Sequence, residues 1–135
     1  MSSDSNPGAK TEIRTEAAPA PVGPYSQAVS HHGILYASGQ IPLDPETGKL
    51  ACADIEGQTR QVLKNLGAVL EAGGCSFASV VRTTIYLIDL AHFPQVNAIY
   101  AEHFHADPAP ARATVQVAAL PLGAQIEIDC MAALP

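Results

Sequence analysis

Two segments of the chain carry apolar residues at the spacing of an α-helix. The first runs from about Asp54 to Ala72, and the pair Gly73-Gly74 supplies its stop. The second begins near Pro94, because proline is favoured in the first turn of a helix, and the stretch DPAPA ends it. In each segment the apolar positions form one stripe, which indicates a helix packed on one side. The stripes are Ile55, Val62, Leu66, Val69 and Leu70 in the first helix and Phe93, Val96, Tyr100 and Phe104 in the second.

The other patterned segments predict β-strands. An apolar, β-branched run from Val80 to Ile88 is typical of a largely buried strand. Residues 112–119 alternate polar and apolar side chains, and residues 125–133 do so again after the turn LPLG, so they predict a strand-turn-strand unit. Near the N-terminus, SQAVSHHGILYASGQ predicts two short strands around a His-His-Gly turn, TEIRTE predicts a short edge strand, and PAPVGPYS predicts a rigid loop.

This order of elements predicts an α+β fold with one mixed β-sheet and two helices packed on one face. Two helices cover only that face. On the opposite face the pattern places Arg112, Thr114 and Gln116, or their neighbours, with Glu127 and Asp129 nearby. Sheets of this kind bury their second face against other copies of themselves. We therefore expect a homo-oligomer.

Composition narrows the class of protein. A chain of 135 residues forms one domain, and we expect a disordered tail over residues 1–9 and the folded domain over residues 10–135. Apolar residues make up 47% of the chain and charged residues 15%, which is ample for a core. The net charge of -6 and the lack of a basic run argue against nucleic-acid binding.

Targeting and metal-binding signals are missing from the sequence. The opening residues carry acids and no apolar core of a signal peptide, and no run approaches the roughly 18 apolar residues of a membrane span, so we expect a cytoplasmic protein. The three cysteines form no C-x-x-C pair. His103 and His105 point apart on a helix, so we expect no metal.

Arg112 and Glu127 are the first candidates for chemistry. Arg112 heads a strand just after a proline, and its planar guanidinium matches a carboxylate. The alternative is a structural ion pair with Glu127 or Asp129. If LPLG closes a hairpin, Gln116 lies opposite Glu127, and Arg112 is four residues further along, roughly 13 Å away. A different register, or a second subunit that supplies one partner, would also bring the two together.

Five segments together resemble the RidA/YjgF family of reactive-intermediate deaminases. They are GPYSQAV, YASGQIPLDPETGKL, QTRQVLKNLGAVLEAGG, VVRTTIYLIDLAHFPQVNAIYAEHF and PARATVQVAALPLGAQIEIDCMA, and the resemblance spans about residues 17–134. It implies a chorismate-mutase-like sheet and a homotrimer with a barrel-like core and sites between subunits. It also implies hydrolysis of short 2-imino acids or enamines, such as 2-iminobutanoate and 2-iminopropanoate, to 2-oxo acids and ammonia, without a cofactor.

The resemblance also implies roles for particular residues. Arg112 matches the arginine that binds the substrate carboxylate, and Glu127 matches the carboxylate that positions the attacking water. Tyr25, Gly39 and Asn97 match further substrate-binding positions in the cleft.

This chain departs from the family pattern at two places. Thr114, also a substrate-binding position, stands where many members have cysteine; it keeps a hydroxyl that can form a hydrogen bond. The stretch HADPAPAR is shorter than in some relatives, which leaves the preferred substrate size open. Two other functions also remain open, a non-catalytic binder of small 2-oxo carboxylates and an endoribonuclease or translation inhibitor.

Overall fold

The computed structural model describes residues 8–135, so most of the tail predicted over residues 1–9 lies outside the described residues. The elements in chain order are β1 (Thr11–Ile13), β2 (Ala28–His31), β3 (Ile34–Gln40), α1 (Ile55–Ala72), β4 (Val80–Leu87), α2 (Phe93–His103), β5 (Ala111–Gln116) and β6 (Ile126–Ala133). The strands form one sheet in the order β1-β2-β3-β6-β4-β5. The predicted mixed sheet with two helices on one face is confirmed.

Both helices form where the apolar stripes predicted them. The carboxylate of Asp54 caps α1 by accepting the Gly57 N–H at 3.1 Å, and the backbone N–H of Gly73 closes its last turn. Pro94 lies in the first turn of α2. The stripe residues of both helices are buried, apart from the partly buried Phe93.

The hairpin predicted for β5 and β6 is wrong, because β4 lies between them. β4 pairs parallel with β5 on one side and antiparallel with β6 on the other. Its Ile85 and Leu87 are fully buried, as expected when the most apolar strand takes an inner position. The LPLG segment therefore crosses the end of β4, where the Val117 N–H donates to the Leu87 carbonyl and the Ile88 N–H donates to the Gln125 carbonyl.

The pairing also decides which side chains face the helices. In β6, Ile126, Ile128 and Cys130 are buried under the helices, whereas Glu127 and Asp129 lie on the opposite, open face. In β5, the three polar residues are in register with buried residues of β4 and so lie on the helix side. The pairs are Arg112 with Thr83, Thr114 with Ile85 and Gln116 with Leu87. It is thus their neighbours, Ala111, Ala113 and Val115, that occupy the open face.

The open face carries exposed apolar side chains in the single chain. Tyr36 is 42% exposed and Val115 is 40% exposed. Such a face is consistent with the predicted homo-oligomer, which stays a prediction. Within residues 8–135, neither helix is long and apolar enough to cross a membrane. The same residues contain no group of three His, Cys, Asp or Glu side chains placed to hold a metal ion.

Candidate functional site

The six residues predicted for the site form two separate groups in the single chain. Tyr25, Gly39 and Glu127 line one cavity, whereas Arg112, Asn97 and Thr114 lie around β5 and α2. The two groups lie on either side of β4, as the pairing of its residues Thr83 and Tyr86 shows. Arg112 is in register with Thr83, and Glu127 is in register with Tyr86 from the other side of β4. Arg112 and Glu127 therefore project from opposite faces of the sheet, so of the arrangements left open by the sequence the approach within one hairpin is excluded.

Arg112 is held by α2. Its guanidinium donates to the side-chain oxygen of Asn97 at 2.8 Å. The guanidinium carbon also lies 4.8 Å from the ring centroid of Tyr100 and 5.3 Å from that of Phe93, within the range of cation–π attraction. Among residues 8–135 Arg112 forms no ion pair, so an internal partner at Glu127 is not found. Asn97 takes one of the five N–H donors of the guanidinium, the Tyr100 hydroxyl also interacts with this group, and no carboxylate engages it within residues 8–135.

Thr114 lies two residues beyond Arg112 on the same side of β5. Its hydroxyl oxygen is buried and has no hydrogen-bond partner within the described part of the chain. A buried hydroxyl is normally satisfied, because removing it from water without a partner is unfavourable. Thr114 thus leaves an unsatisfied hydrogen-bonding group on the same side of β5 as Arg112.

Glu127 approaches the backbone of β3 at Gly39. A Cβ atom at Gly39 would overlap the Glu127 carboxylate, lying 2.8 Å from its Cδ and colliding with its Oε2. Only glycine leaves room for this contact. Burial raises the pKa of the half-buried Glu127 carboxyl, and the negative charge of Asp129 raises it further. Asp129 in turn accepts a hydrogen bond from the Tyr86 hydroxyl at 2.9 Å.

Tyr25, Gly39 and Glu127 line a cavity of about 610 Å³. The hydroxyl of Tyr25 accepts the Val22 N–H at 3.3 Å, which fixes the loop at one wall. The lining is mostly apolar, with Glu127 as its ionisable carboxylate. Pockets of this size and character accommodate small organic ligands. A more open cavity of about 650 Å³ beside α1 contains none of the six predicted residues.

Three buried amides fix loops, two of them at the cavity and the third, Gln58, outside it, and none was identified from the sequence. Gln27 bonds to the backbone of Thr15, Ala18 and Pro19. Asn65 donates to the carbonyls of Ile41 and Leu43, and Gln58 joins Cys52 to Gln125. Polar residues on the buried side of a helix were the available signal for Asn65 and Gln58.

The comparisons with known proteins agree with the fold. A sequence profile of the family described as Endoribonuclease L-PSP matches residues 15–134. Reactive Intermediate Deaminase A, chloroplastic, of Arabidopsis thaliana is 55% identical over 125 residues, covering 93% of this chain and 66% of that protein, so this chain spans just under two thirds of that relative. The 2-iminobutanoate/2-iminopropanoate deaminase of Homo sapiens is 48% identical over 120 residues, covering 89% of this chain and 87% of that protein.

A crystal structure points to the same family. The Rid-family protein YyfA of Yersinia pestis, described as of unknown function, matches with a TM-score of 0.90 at 52% identity, covering 93% of this chain and 100% of that one. An α+β chain with this sheet order and these relatives is a Rid-type protein. The chain belongs to the RidA/YjgF family.

Proposed function

We propose that this protein hydrolyses short 2-imino acids, or their enamine tautomers, to 2-oxo acids and ammonia, as a 2-iminobutanoate/2-iminopropanoate deaminase. One observation carries the proposal. Arg112 is held in place by Asn97 and two aromatic rings, yet it has no carboxylate partner within residues 8–135. An immobilised, unpaired guanidinium matches a small carboxylate ligand. Relatives at 48% and 55% identity carry deaminase names.

The complete site forms between copies of the chain in this proposal. Arg112 and Glu127 belong to opposite faces of one sheet, so a single chain offers two half-sites. A homotrimer whose open sheet faces meet in a barrel-like core would bring the Arg112 half of one copy to the Glu127 half of the next. The exposed Tyr36 and Val115 on the open face support such burial.

The reaction needs positioning more than strong chemical activation. Arg112 holds the substrate carboxylate, and Glu127 takes a proton from water as the water oxygen bonds to the carbon of the protonated imine. The C=N π electrons move to nitrogen and give a carbinolamine. Glu127 then returns its proton to that nitrogen and accepts the proton of the hydroxyl, so that the C=O bond forms as the C–N bond breaks and ammonia leaves. Positioning accounts for up to roughly 7–11 kcal/mol of the barrier, and general-base help adds about 10²–10⁴-fold.

The remaining site residues shape the cleft in this proposal. Asn97 fixes Arg112, and Gly39 leaves room for the Glu127 carboxylate. Tyr25 borders the substrate from the loop wall. The unsatisfied hydroxyl of Thr114 supplies a hydrogen bond to the bound substrate. The reaction scheme requires no metal or organic cofactor.

The test couples the protein to a threonine dehydratase, which releases 2-iminobutanoate, and follows the formation of 2-oxobutanoate. Arg112→Ala removes charge-assisted hydrogen bonds of about 1.5–3 kcal/mol, so kcat/KM should fall on the order of 10–10²-fold. Arg60→Ala is the matched control, because Arg60 is an exposed arginine paired with Glu102 away from the cavity. Full activity of Arg112→Ala, with an intact oligomer by light scattering, would contradict the proposal.

The wild-type protein and its variants also distinguish the deaminase from the other two candidate functions. A non-catalytic binder of 2-oxo carboxylates needs Arg112 but not Glu127, so Glu127→Gln would keep ligand affinity, and the wild-type protein would show no turnover. An endoribonuclease, the activity in the description of the matching family profile, would cleave single-stranded RNA. The net charge of -6 weighs against that activity.

A further inference from the structure

We propose that Leu122 selects 2-imino acids with branched aliphatic side chains over those with an ethyl or methyl group. This inference rests on the deaminase activity proposed above and concerns its substrate range.

The backbone of Leu122 is in an unusual conformation. Its φ is 58° and its ψ is 22°, in the left-handed region that favours glycine and asparagine. The next residue, Gly123, has a φ of 76° and is suited to such a turn. A leucine held there is strained, and strain of this kind concentrates at functional sites.

The side chain of Leu122 is also poorly buried for an apolar group. It is 64% exposed, and Val22, which lines the same cavity, is 80% exposed. Both belong to the lining that contains Gly39 and Glu127. Two exposed apolar side chains beside the reacting carboxylate form a surface that gains by covering an apolar part of a ligand.

Two of the polar side chains that line the cavity are already engaged by backbone groups. The Ser38 hydroxyl donates to the Ser26 carbonyl at 2.6 Å, and the Gln27 amide is engaged by the backbone of the loop that precedes it. Glu127 remains to position water, and the Gln40 amide is a further polar group of the lining. The cavity, about 610 Å³, exceeds what an ethyl group fills, and its apolar wall suits a bulkier hydrocarbon.

The experiment compares two substrates on one enzyme sample. An L-amino-acid oxidase with catalase generates the imines of leucine and of 2-aminobutyrate, semicarbazide traps what is left, and the loss of semicarbazone gives the hydrolysis rate. Each buried carbon should raise kcat/KM about fourfold, so the two additional carbons of the leucine-derived imine should favour it about 15-fold in the wild type.

Leu122→Asn should lower that preference at least about fourfold, since asparagine suits the backbone conformation and removes the apolar contact. Leu122→Gly, which relieves the strain, should do the same. Leu90→Asn is the control, because Leu90 is 44% exposed and lies away from the cavity, and it should leave the preference unchanged.

Three results would overturn the inference. The first is an unchanged preference in both Leu122 variants. The second is an equal loss on both substrates together with dissociation of the oligomer, which would make Leu122 a subunit contact. The third is a wild-type protein that hydrolyses neither imine, which removes the proposed function as well. If the protein hydrolyses both imines and the Leu122 variants keep the wild-type preference, the proposed selection is contradicted but the proposed deaminase activity is not.

Discussion

One methyl group added at Gly39 should lower the catalytic rate while it leaves the stability of the fold nearly unchanged. A Cβ at this residue would lie 2.8 Å from Cδ and 3.0 Å from Cγ of Glu127 and would overlap its Oε2. In Gly39→Ala the flexible glutamate side chain has to move away from β3, because the three atoms nearest to the new methyl group all belong to the Glu127 side chain. Glu127, the proposed general base, then leaves the position that the proposed reaction requires, and kcat should fall by about 10²–10⁴-fold.

Stability should change little in the same variant. The φ of Gly39 lies outside the left-handed region, so alanine fits its backbone. Replacing glycine within a strand stabilises by roughly 0.5–1 kcal/mol. Moving the half-buried carboxylate of Glu127 towards water restores its hydration, which offsets lost packing. We expect the melting temperature to stay within about 4 °C of the wild type.

The assay is the coupled formation of 2-oxobutanoate, read beside thermal unfolding. Gly23→Ala is the matched control, because a Cβ at Gly23 meets only the ring of Tyr25, at an ordinary 3.7 Å. In the Glu127→Gln background, Gly39→Ala should reduce kcat by less than about twofold further, since both changes disable one group. Wild-type turnover in Gly39→Ala, or the same loss in both backgrounds, would refute this reasoning.

Two further predictions concern the groups that tune Arg112 and Glu127. Asp129→Asn removes a negative charge that raises the pKa of Glu127, so the acid limb of the kcat/KM profile should move to lower pH, though not fully, because burial is the larger cause; an unmoved limb would contradict this. In the Asp129→Asn variant the free energy of unfolding should also fall less than in the wild type as the pH rises through the folded-state pKa of Glu127. The reason is that a raised carboxyl pKa favours the folded state at low pH, and this variant has the smaller rise. Asn97→Ala frees the Arg112 guanidinium and should raise KM about tenfold with a smaller effect on kcat; a loss confined to kcat would assign Asn97 another role.

The helices were predictable because their stripes, caps and stops are local. Asp54, Gly73 and Pro94 stand where the structure begins or ends a helix. The pairing of β5 was not predictable from alternation, because a period of two gives the two faces of a strand but not its neighbour. Nothing local distinguishes a hairpin at LPLG from a crossing over the end of β4.

The sequence supplied candidate residues for the site but not their arrangement. The resemblance supplied Arg112 and Glu127, and the structure separates them onto opposite faces. Alternation alone is misleading in β5, since Val115 faces the open side while the polar Thr114 faces the helices. The amide of Gln27 was invisible because its partners are backbone atoms of another segment.

The placement of Arg112 and Glu127 on opposite faces determines how many sites of the proposed ring are lost when one chain is defective. Each chain would contribute its Arg112 half-site to the interface with one neighbour and its Glu127 half-site to the interface with the other neighbour. A chain that lacks only Arg112 would then inactivate the site at one of its two interfaces and leave the other site intact. A chain that cannot assemble into the ring would remove both sites. The most harmful lesions should therefore be those of assembly, even where both reactive side chains are still encoded.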